Sequence, residues 1–353
     1  MDYREAAARL GPPPAPIIDV HTHLHGAKAA RVYKDARDCF GVAMTYSMST
    51  RAEVDPLRDL FGDSIRFIAA PEFMSPDRKH AHTAGFLDVI EGLHARGARI
   101  VKFWTAPRSR DYGREVGDET LLSLDNEWRV RAMELAHSLG MMFMVHVADP
   151  DTWFEKKYAD ASVYGTKESQ YEPLERALAR HPDTPWLAAH MGGWPEDLEF
   201  LDGMLTRHAN LYLDTAATKW MVRELSRSPI AGARAFFKRW RGRILFGSDI
   251  VAMDDHLARS DDPAMVKSAQ ASSAEEAFDL YASRYWALRT LFETGYEGES
   301  PIADPDLAMV DPARYDEMSA PRLRGLSLPA EDVRAIEHDA AADLLEGWRA
   351  AHP

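Results

Sequence analysis

The chain has 353 residues, a formal net charge of −14 and a single cysteine, Cys39. The acidic balance argues against a nucleic-acid partner, because binding to phosphate backbones needs clustered Lys and Arg. One cysteine excludes an intrachain disulfide and a zinc site built on several thiolates. The N-terminal residues lack the apolar centre of a secretory signal, and no run of about 18 apolar residues is present to span a bilayer. We therefore expect a cytoplasmic protein that acts on a small molecule and contacts neither nucleic acid nor membrane.

Eight short apolar runs predict strands. In chain order they are Ile17–His23, Val42–Ser47, Ile65–Ala70, Arg99–Trp104, Met141–Val147, Trp186–His190, Leu211–Asp214 and Arg243–Asp249. Segments with helical spacing lie between them, including Gly85–Ala95, Asn126–Ser138, Tyr171–Arg180 and Glu196–Arg207. Strands that alternate with helices favour parallel βαβ units. Eight such units predict an α/β fold, a (β/α)8 barrel with its chemistry at the carboxyl ends of the strands. The alternative, an open doubly wound sheet, normally has a glycine-rich phosphate loop after an early strand, and none follows the first strand here.

The same pattern predicts the domain organisation. Residues 1–16 form an N-terminal arm, and residues 17–353 form a single barrel domain. More residues follow the eighth strand than one closing helix requires. We therefore predict an excursion over residues 253–328, packed over or beside the barrel mouth, with a helix at Ala274–Gly295. A closing helix is predicted at residues 329–350.

The first predicted strand lies in the sequence IIDVHTHLHG and carries histidines at alternate positions. Alternate residues of a strand share a face, so Asp19, His21 and His23 point the same way. Two imidazoles side by side at a strand end suit a metal ion. The run continues to His25, which is expected to lie past the strand as a loop residue or as a hydrogen-bonding partner of a ligand.

Lone ionisable side chains end three further strands, at His146, His190 and Asp249. A single histidine in a core is more often a hydrogen-bonded packing residue than a ligand. With His21 and His23 of the first strand, however, there are five such groups at the same end of four strands. Burying all five without a common partner would carry an unexplained desolvation cost. Taken together they predict a site for a divalent metal ion.

These motifs resemble those of the amidohydrolase superfamily, and within it the amidohydrolase 2 branch, which includes the aminocarboxymuconate-semialdehyde decarboxylase-like enzymes. The matching segments are DVHTH at 19–23, MVH at 144–146, AAHMGG at 188–193 and LFGSD at 245–249. The segment AIEHDAAADLL is similar to the closing helix of the family, although Asp339 stands where asparagine is usual. The resemblance implies a metal-dependent enzyme.

The resemblance also implies roles for individual residues. Imidazole nitrogens of His21, His23 and His146 and a carboxylate oxygen of Asp249 would bind one divalent ion. Zn²⁺ is the expected ion, with Mn²⁺, Co²⁺, Ni²⁺ or Fe²⁺ as alternatives. Such an ion lowers the pKa of bound water to about 7. Asp249 would accept the proton of that water, and His190 would polarise the substrate or relay a proton.

Lys102 leaves the number of metal ions open. It ends the fourth predicted strand, where two-metal amidohydrolases carry a carboxylated lysine, so Lys102 and His190 would hold a second ion in such a site. In the alternative, Lys102 binds a carboxylate of the substrate or pairs with an acid. We favour one metal ion.

Aromatic and cationic residues in the loops after three strands are candidates for substrate binding, because pockets combine apolar walls with a few polar groups. Together with Lys102 they are Trp104, Arg108, Trp153, Trp220 and Arg223. This combination suits a planar or cyclic organic acid. The alternative is that each of them packs one loop against another. Nine further histidines without ligand spacing are predicted to be surface residues, namely His80, His82, His94, His137, His181, His208, His256, His338 and His352.

Two enzymatic functions fit the predicted site. The first is a hydrolase that uses metal-activated water on an amide, lactone or ester of a small organic substrate, one that carries a carboxylate. The alternative is a lyase, a decarboxylase or hydratase acting on a small unsaturated or aromatic carboxylic acid. Both need the same ligands, so the sequence leaves them open. A non-catalytic barrel with a structural metal is disfavoured, since structural sites are usually closed by protein ligands. A homodimer is the expectation for a soluble enzyme.

Overall fold

The computed structural model of the protein describes residues 1–258 and 270–352. Within these ranges it contains eleven strands. In chain order they are β1 (Ile17–His25), β2 (Val42–Ser47), β3 (Ile65–Ala69), β4 (Ile100–Trp104), β5 (Met142–His146), β6 (Trp186–Ala188), β7 (Leu211–Asp214), β8 (Ile244–Leu245), β9 (Ile250–Met253), β10 (Glu297–Glu299) and β11 (Arg322–Arg324).

Helices separate the strands over most of the described chain. The α-helices are α1 (Tyr3–Leu10), α2 (Ala27–Cys39), α3 (Val54–Phe61), α4 (Arg78–Ala81), α5 (Ala84–His94), α6 (Ser109–Glu115), α7 (Glu127–Ser138), α8 (Asp151–Lys156), α9 (Ala161–Tyr164), α10 (Tyr171–Arg180), α11 (Leu198–Arg207), α12 (Thr218–Arg227), α13 (Ile230–Arg239), α14 (Ala274–Glu293), α15 (Asp306–Val310), α16 (Ala330–Arg334) and α17 (Gly347–Ala351).

The predicted fold class, an α/β (β/α)8 barrel, is confirmed. Nine strands form one sheet in the order β8-β7-β6-β5-β4-β3-β2-β1-β9, and β10 pairs with β11 in a separate two-stranded sheet. All eight predicted strands exist within two residues of their predicted starts. The eighth predicted strand, Arg243–Asp249, is reduced to β8, and β9 begins beyond it, because Asp249 between them has a φ of 59°, which is incompatible with a continuous strand.

The chain divides into two compact units. The first comprises Met1–Arg66, Thr215–Asp304 and Met318–Gly347. In it, β1 lies between β2 and β9 and is parallel to both. Three apolar residues of β1, Ile17, Val20 and Leu24, have no exposed surface, which indicates that this strand is buried on both faces.

The second unit comprises Phe67–Asp214, Pro305–Glu317 and the C-terminal residues from Trp348. Its strands β3 to β7 pair in chain order, all parallel. An aromatic core packs on the outward side of these strands, where the ring centroids of Phe143 and Trp186 are 4.7 Å apart and those of Phe86 and Phe103 are 5.9 Å apart. The prediction that residues 17–353 form a single domain stays a prediction.

The C-terminal part of the chain follows the sequence prediction in outline. The predicted helix Ala274–Gly295 is observed as α14. The predicted closing helix begins with α16 and ends with α17, and π-helical segments at Ala335–Asp339 and Ala342–Glu346 lie between them. Part of the predicted excursion, residues 259–269, lies outside the described residues. In the described ranges, no helix combines the length and the apolar character that crossing a bilayer requires.

Candidate functional site

The first histidine pair lies in the first unit, on β1. His21 is buried and His23 is half-buried, with 29% of its side chain exposed. The two rings are on the same face of the strand, as predicted, with centroids 5.6 Å apart. The strand continues past both residues because Thr22 to His25 pair with Ile250 to Met253 of β9.

Asp249 reaches this pair from the turn between β8 and β9. Its φ of 59° is in the left-handed region, which is uncommon for a residue with a side chain, and such conformations cluster at functional sites. Its backbone N–H donates to the carbonyl of His21 at 2.8 Å. In the same turn, a Cβ on Gly247 would lie 3.1 Å from the Cβ of His21, which is a tight contact.

The three side chains bring their ligand atoms together around one carboxylate oxygen. Oδ1 of Asp249 lies 3.4 Å from Nε2 of His21 and 3.3 Å from Nε2 of His23. Ligand atoms about 2.1 Å from a tetrahedral ion lie about 3.4 Å from one another. The spacing therefore fits a divalent ion with imidazole and carboxylate ligands. We call His21, His23 and Asp249 the β1 cluster.

Burial sets the protonation of this region. Desolvation lowers the pKa of His23 to about 4, against the raising effect of Asp249, so the imidazole is neutral at pH 7, which is the form that binds metals. Beneath the cluster, desolvation raises the pKa of the Asp19 carboxyl to about 7, although hydrogen bonds from Ser248 and Tyr285 lower it. Asp19 is fully buried.

A second histidine–carboxylate cluster lies in the second unit, at the end of β5. Nε2 of His146 is 2.9 Å from Oδ1 of Asp149, and the hydroxyl of Tyr158 donates to Oδ2 of Asp149 at 2.7 Å. Burial and the charge of Asp149 raise the pKa of the Tyr158 hydroxyl far above its usual value, so it stays a donor. We call His146, Asp149 and Tyr158 the β5 cluster.

His190 lies beside the β5 cluster, and its ring centroid is 4.5 Å from that of His146. Its backbone is left-handed, with φ of 61°, and its N–H donates to Oδ1 of Asp214 at 2.7 Å. Lys102 is buried on β4. It pairs in register with Met144, and Trp104 pairs with His146, so Lys102 and His146 share a face of the sheet.

The predicted substrate-binding residues have different surroundings. Trp104 is half-buried and packs against Tyr112 with centroids 6.0 Å apart, whereas Arg108 is exposed. The indole N–H of Trp153 donates to Asp306 at 2.9 Å. Trp220 and Arg223 are both buried on α12, where the guanidinium of Arg223 donates to Glu224 and Asp304. Their substrate roles stay predictions.

Two sequence-based expectations about histidines are wrong. His25 does not lie past the strand but ends β1, because β9 extends the pairing to that residue, and its Nδ1 is 3.3 Å from a carboxylate oxygen of Glu53. Three histidines expected at the surface are buried, namely His82, His181 and His256. Each has a partner for one ring nitrogen or packs on an aromatic ring, as with Arg129 for His82 and Tyr281 for His256.

The sequence analysis missed several residues that hydrogen-bond to the candidate ligands or to Asp19. Asp149 follows His146 by three residues in HVAD, which is a readable signal, and Asp214 ends a predicted strand. Ser248 and Tyr285 gave no signal, because their contacts with Asp19 span 229 and 266 residues of chain.

Comparison with known proteins identifies the family. The family model described as amidohydrolase, Amidohydro_2, matches residues 18–347. The chain belongs to the amidohydrolase family. The predicted amidohydrolase 2 branch is thereby confirmed, and the family supports a metal-dependent enzyme of the hydrolase or lyase type. A crystal structure of an amidohydrolase from Burkholderia multivorans with bound HEPES is similar at 13% identity and a TM-score of 0.39, covering 93% of this chain and 98% of that one. No curated protein matches the chain.

Proposed function

We propose that this amidohydrolase is a metal-dependent hydrolase that directs water onto an amide, lactone or ester of a small, carboxylate-bearing organic substrate. The observation that supports it is the β1 cluster, in which one carboxylate oxygen lies 3.3 and 3.4 Å from two imidazole nitrogens. A divalent cation held there supplies Lewis acidity, which polarises an oxygen and makes water easier to deprotonate. We propose a single ion, Zn²⁺.

The residues of the β1 cluster have different proposed roles. His21 and His23 present ring nitrogens from the same face of β1. Asp249 has 29% of its side chain exposed, and its carboxylate is proposed to accept the proton of the attacking water.

The roles of the second unit follow from the family resemblance. His146 is proposed as a third nitrogen ligand, and its bond to Asp149 holds the ring in one orientation. His190 is proposed to polarise the carbonyl of the substrate or relay a proton. Lys102 is proposed to bind a carboxylate of the substrate rather than a second ion.

The experiment is incubation of zinc-loaded protein with a panel of lactones, amides, esters and unsaturated carboxylic acids in ¹⁸O-labelled water. Hydrolysis predicts one ¹⁸O atom in a newly formed carboxylate and no release of carbon dioxide. Release of carbon dioxide, or label in an alcohol formed by addition to a double bond, would replace the hydrolase proposal with the lyase alternative. The variant Asp249→Ala must abolish whichever reaction is found.

The number of ions is tested separately. Intact-mass measurement under non-denaturing conditions and metal analysis should give one Zn²⁺ per chain and an unmodified Lys102. Two ions per chain together with a mass increase of carbon dioxide on Lys102 would contradict the one-metal proposal.

A further inference from the structure

Asp19 is a buried carboxylate whose acceptor capacity is filled by four donors. Oδ1 accepts from the backbone N–H of His21 and of Ser248, each at 3.1 Å. Oδ2 accepts from the hydroxyl of Ser248 at 2.6 Å and from that of Tyr285 at 2.8 Å. A carboxylate has about four lone-pair sites, so this group is saturated. Its position is therefore fixed by all four donors together.

These four bonds join the two segments that carry the β1 cluster. Asp19 precedes His21 by two residues on β1, and Ser248 immediately precedes Asp249. Asp249 holds a left-handed conformation, whose strain the surrounding bonds must offset. The orientation of Asp249 toward the two imidazoles thus depends on the Asp19–Ser248 contact.

Tyr285 is the donor to Asp19 that comes from outside these segments, on α14. Its hydroxyl is 2.7 Å from that of Tyr33, which is 3.0 Å from Oγ1 of Thr45, and Oγ1 of Thr45 accepts from Arg37 at 3.1 Å. Tyr33 and Tyr285 have no exposed surface. The result is a buried chain of three hydroxyls between a guanidinium and a carboxylate.

The direction of donation along this chain is determined by its two ends. Arginine only donates, and both oxygens of Asp19 accept, with the Tyr285 hydroxyl as one of their four donors. Each hydroxyl has one proton, so Thr45 donates to Tyr33, Tyr33 to Tyr285, and Tyr285 to Asp19. Hydrogen bonds aligned in one direction in a low-dielectric interior polarise and strengthen one another.

We propose that Tyr285 is a positioning residue for the metal centre. By donating to Asp19, at the end of the Arg37–Thr45–Tyr33 chain, it keeps the residues of the β1 cluster in the orientation that binds the ion. The inference rests on the proposed function, because it presupposes an ion at the β1 cluster. Helix α14 would then serve two purposes, because it packs in the core and its residue Tyr285 also supports the metal site.

The test is the variant Tyr285→Phe, read by two measurements that do not depend on turnover. Competition with a chromophoric chelator gives the Zn²⁺ dissociation constant, and the visible absorption of the Co²⁺-substituted protein reports the ligand geometry. We expect Zn²⁺ affinity to fall by about 10–100-fold, as for other residues that orient metal ligands. The cobalt bands should shift. Tyr33→Phe removes the donor to Tyr285 and should weaken binding in the same direction by less.

The matched control is Tyr281→Phe. Tyr281 lies one turn earlier on α14, is fully buried, and its hydroxyl is 2.9 Å from Nδ1 of His256. This variant loses a comparable buried hydrogen bond but no contact with Asp19. We expect it to melt at a similar temperature to Tyr285→Phe while keeping wild-type zinc affinity and cobalt spectrum.

The outcomes separate the inference from the function on which it rests. The positioning role is wrong if the wild type binds zinc and Tyr285→Phe matches it in zinc affinity and cobalt spectrum. It is also wrong if Tyr281→Phe loses as much zinc affinity as Tyr285→Phe. In both cases the proposed function stands. If the wild type binds no ion, the proposed function fails first. Should Tyr285→Phe not fold, Tyr33→Phe against Tyr281→Phe decides by the same criteria.

Discussion

The β1 cluster and the β5 cluster use the same residue types for different purposes. In the β1 cluster one oxygen of Asp249 lies almost equally far from two imidazole nitrogens, at 3.3 and 3.4 Å. In the β5 cluster Asp149 makes one close contact with His146, at 2.9 Å, and its other oxygen is taken by Tyr158. The first spacing fits ligands around an ion, and the second is that of a hydrogen-bonded pair.

The carboxylates of the two clusters also differ in exposure. Asp249 has 29% of its side chain exposed, whereas Asp149 has 4%. A carboxylate that binds an ion and accepts a proton from water must remain accessible to both. A carboxylate that orients a ring is more effective when buried, because its hydrogen bond then competes with no water. The difference in exposure supports the proposed roles, in which Asp249 accepts a proton and Asp149 orients the ring of His146.

The largest expected effect comes from Asp249→Asn, which keeps the shape of the side chain but removes its charge. Zn²⁺ affinity should fall by more than about 100-fold. Loss of a residue that only hydrogen-bonds to a metal ligand already lowers metal affinity by about 10–100-fold, and loss of a ligand should cost more. Turnover of the substrate found in labelled water should fall by about 10²–10⁴-fold as the proton acceptor is lost. Chelator competition and steady-state kinetics measure the two effects. Asp255→Asn, an exposed residue of the same region, should change neither.

Asp149→Asn tests the orienting role assigned to the β5 cluster. If His146 is a ligand, loss of the carboxylate behind it should weaken Zn²⁺ binding by about 10–100-fold. Isothermal titration of zinc into the stripped protein gives the comparison with the wild type, and the exposed Asp160→Asn is the control. Wild-type affinity in Asp149→Asn would mean that the β5 cluster is structural.

Glycine substitutions probe how rigidly each cluster is packed. A Cβ on Gly193, whose φ is +78°, would lie 2.1 Å from the carbonyl oxygen of Ala148, next to Asp149. Gly193→Ala should therefore destabilise the protein by about 3 kcal/mol, measured by chemical denaturation. In Gly247→Ala the new Cβ would lie 3.1 Å from the Cβ of His21. Because that contact displaces a candidate ligand, we expect a clear loss of zinc affinity with a smaller loss of folding free energy than in Gly193→Ala.

Gly232→Ala is the control for both substitutions, since a Cβ there meets nothing within 4 Å on helix α13. Alanine in a helix is favoured over glycine by about 0.5–1 kcal/mol, so this variant should be slightly more stable than the wild type. Equal stability of Gly193→Ala and Gly232→Ala would show that the backbone at Gly193 can move away.

The smallest effect concerns His82, a buried imidazole whose partner is a cation. Nδ1 of His82 lies 2.9 Å from a guanidinium nitrogen of Arg129, and burial followed by the charge of Arg129 lowers the pKa of His82 to about 3. The folded pKa lies below the unfolded value of about 6.5, so the unfolded state binds the extra proton. Stability due to neutral His82 is therefore present above pH 6.5 and decreases as pH falls toward 3, by at most about 1.4 kcal/mol per pH unit.

The variant His82→Gln should show a shallower loss of stability between pH 6.5 and 4.5, followed by denaturant titrations at each pH. The exposed His80→Gln, two residues away, should keep the wild-type slope. A variant His82→Gln with an unchanged slope would place the acid sensitivity elsewhere.

The strands were predictable because each is a short apolar run that must be buried, and burial selects β-branched and aromatic residues at fixed spacing. The early end of the eighth strand was not predictable, because the left-handed conformation of Asp249 depends on bonds to β1 rather than on its neighbours in sequence. The extension of β1 to His25 could not be predicted either, because it depends on pairing with β9, which is distant in sequence.

The candidate ligands were predictable for a different reason. His21, His23 and Asp249 are polar residues in segments that are otherwise apolar, so their types stand out against the local pattern. The residues that position them do not stand out. Tyr285 is an ordinary aromatic residue of a buried helix until the fold brings its hydroxyl to Asp19. Burial of His82 likewise depends on Arg129, 47 residues away.

The central claim is that the β1 cluster holds a divalent ion, and the most direct test is equilibrium dialysis of zinc into chelator-stripped protein, with metal quantified by mass spectrometry. The wild type should recover one ion per chain, and the double variant His21→Ala/His23→Ala, checked by circular dichroism for folding, should recover none. A wild type that takes up no zinc, manganese, cobalt, nickel or iron, or a folded double variant that still binds one ion with wild-type affinity, would contradict the account.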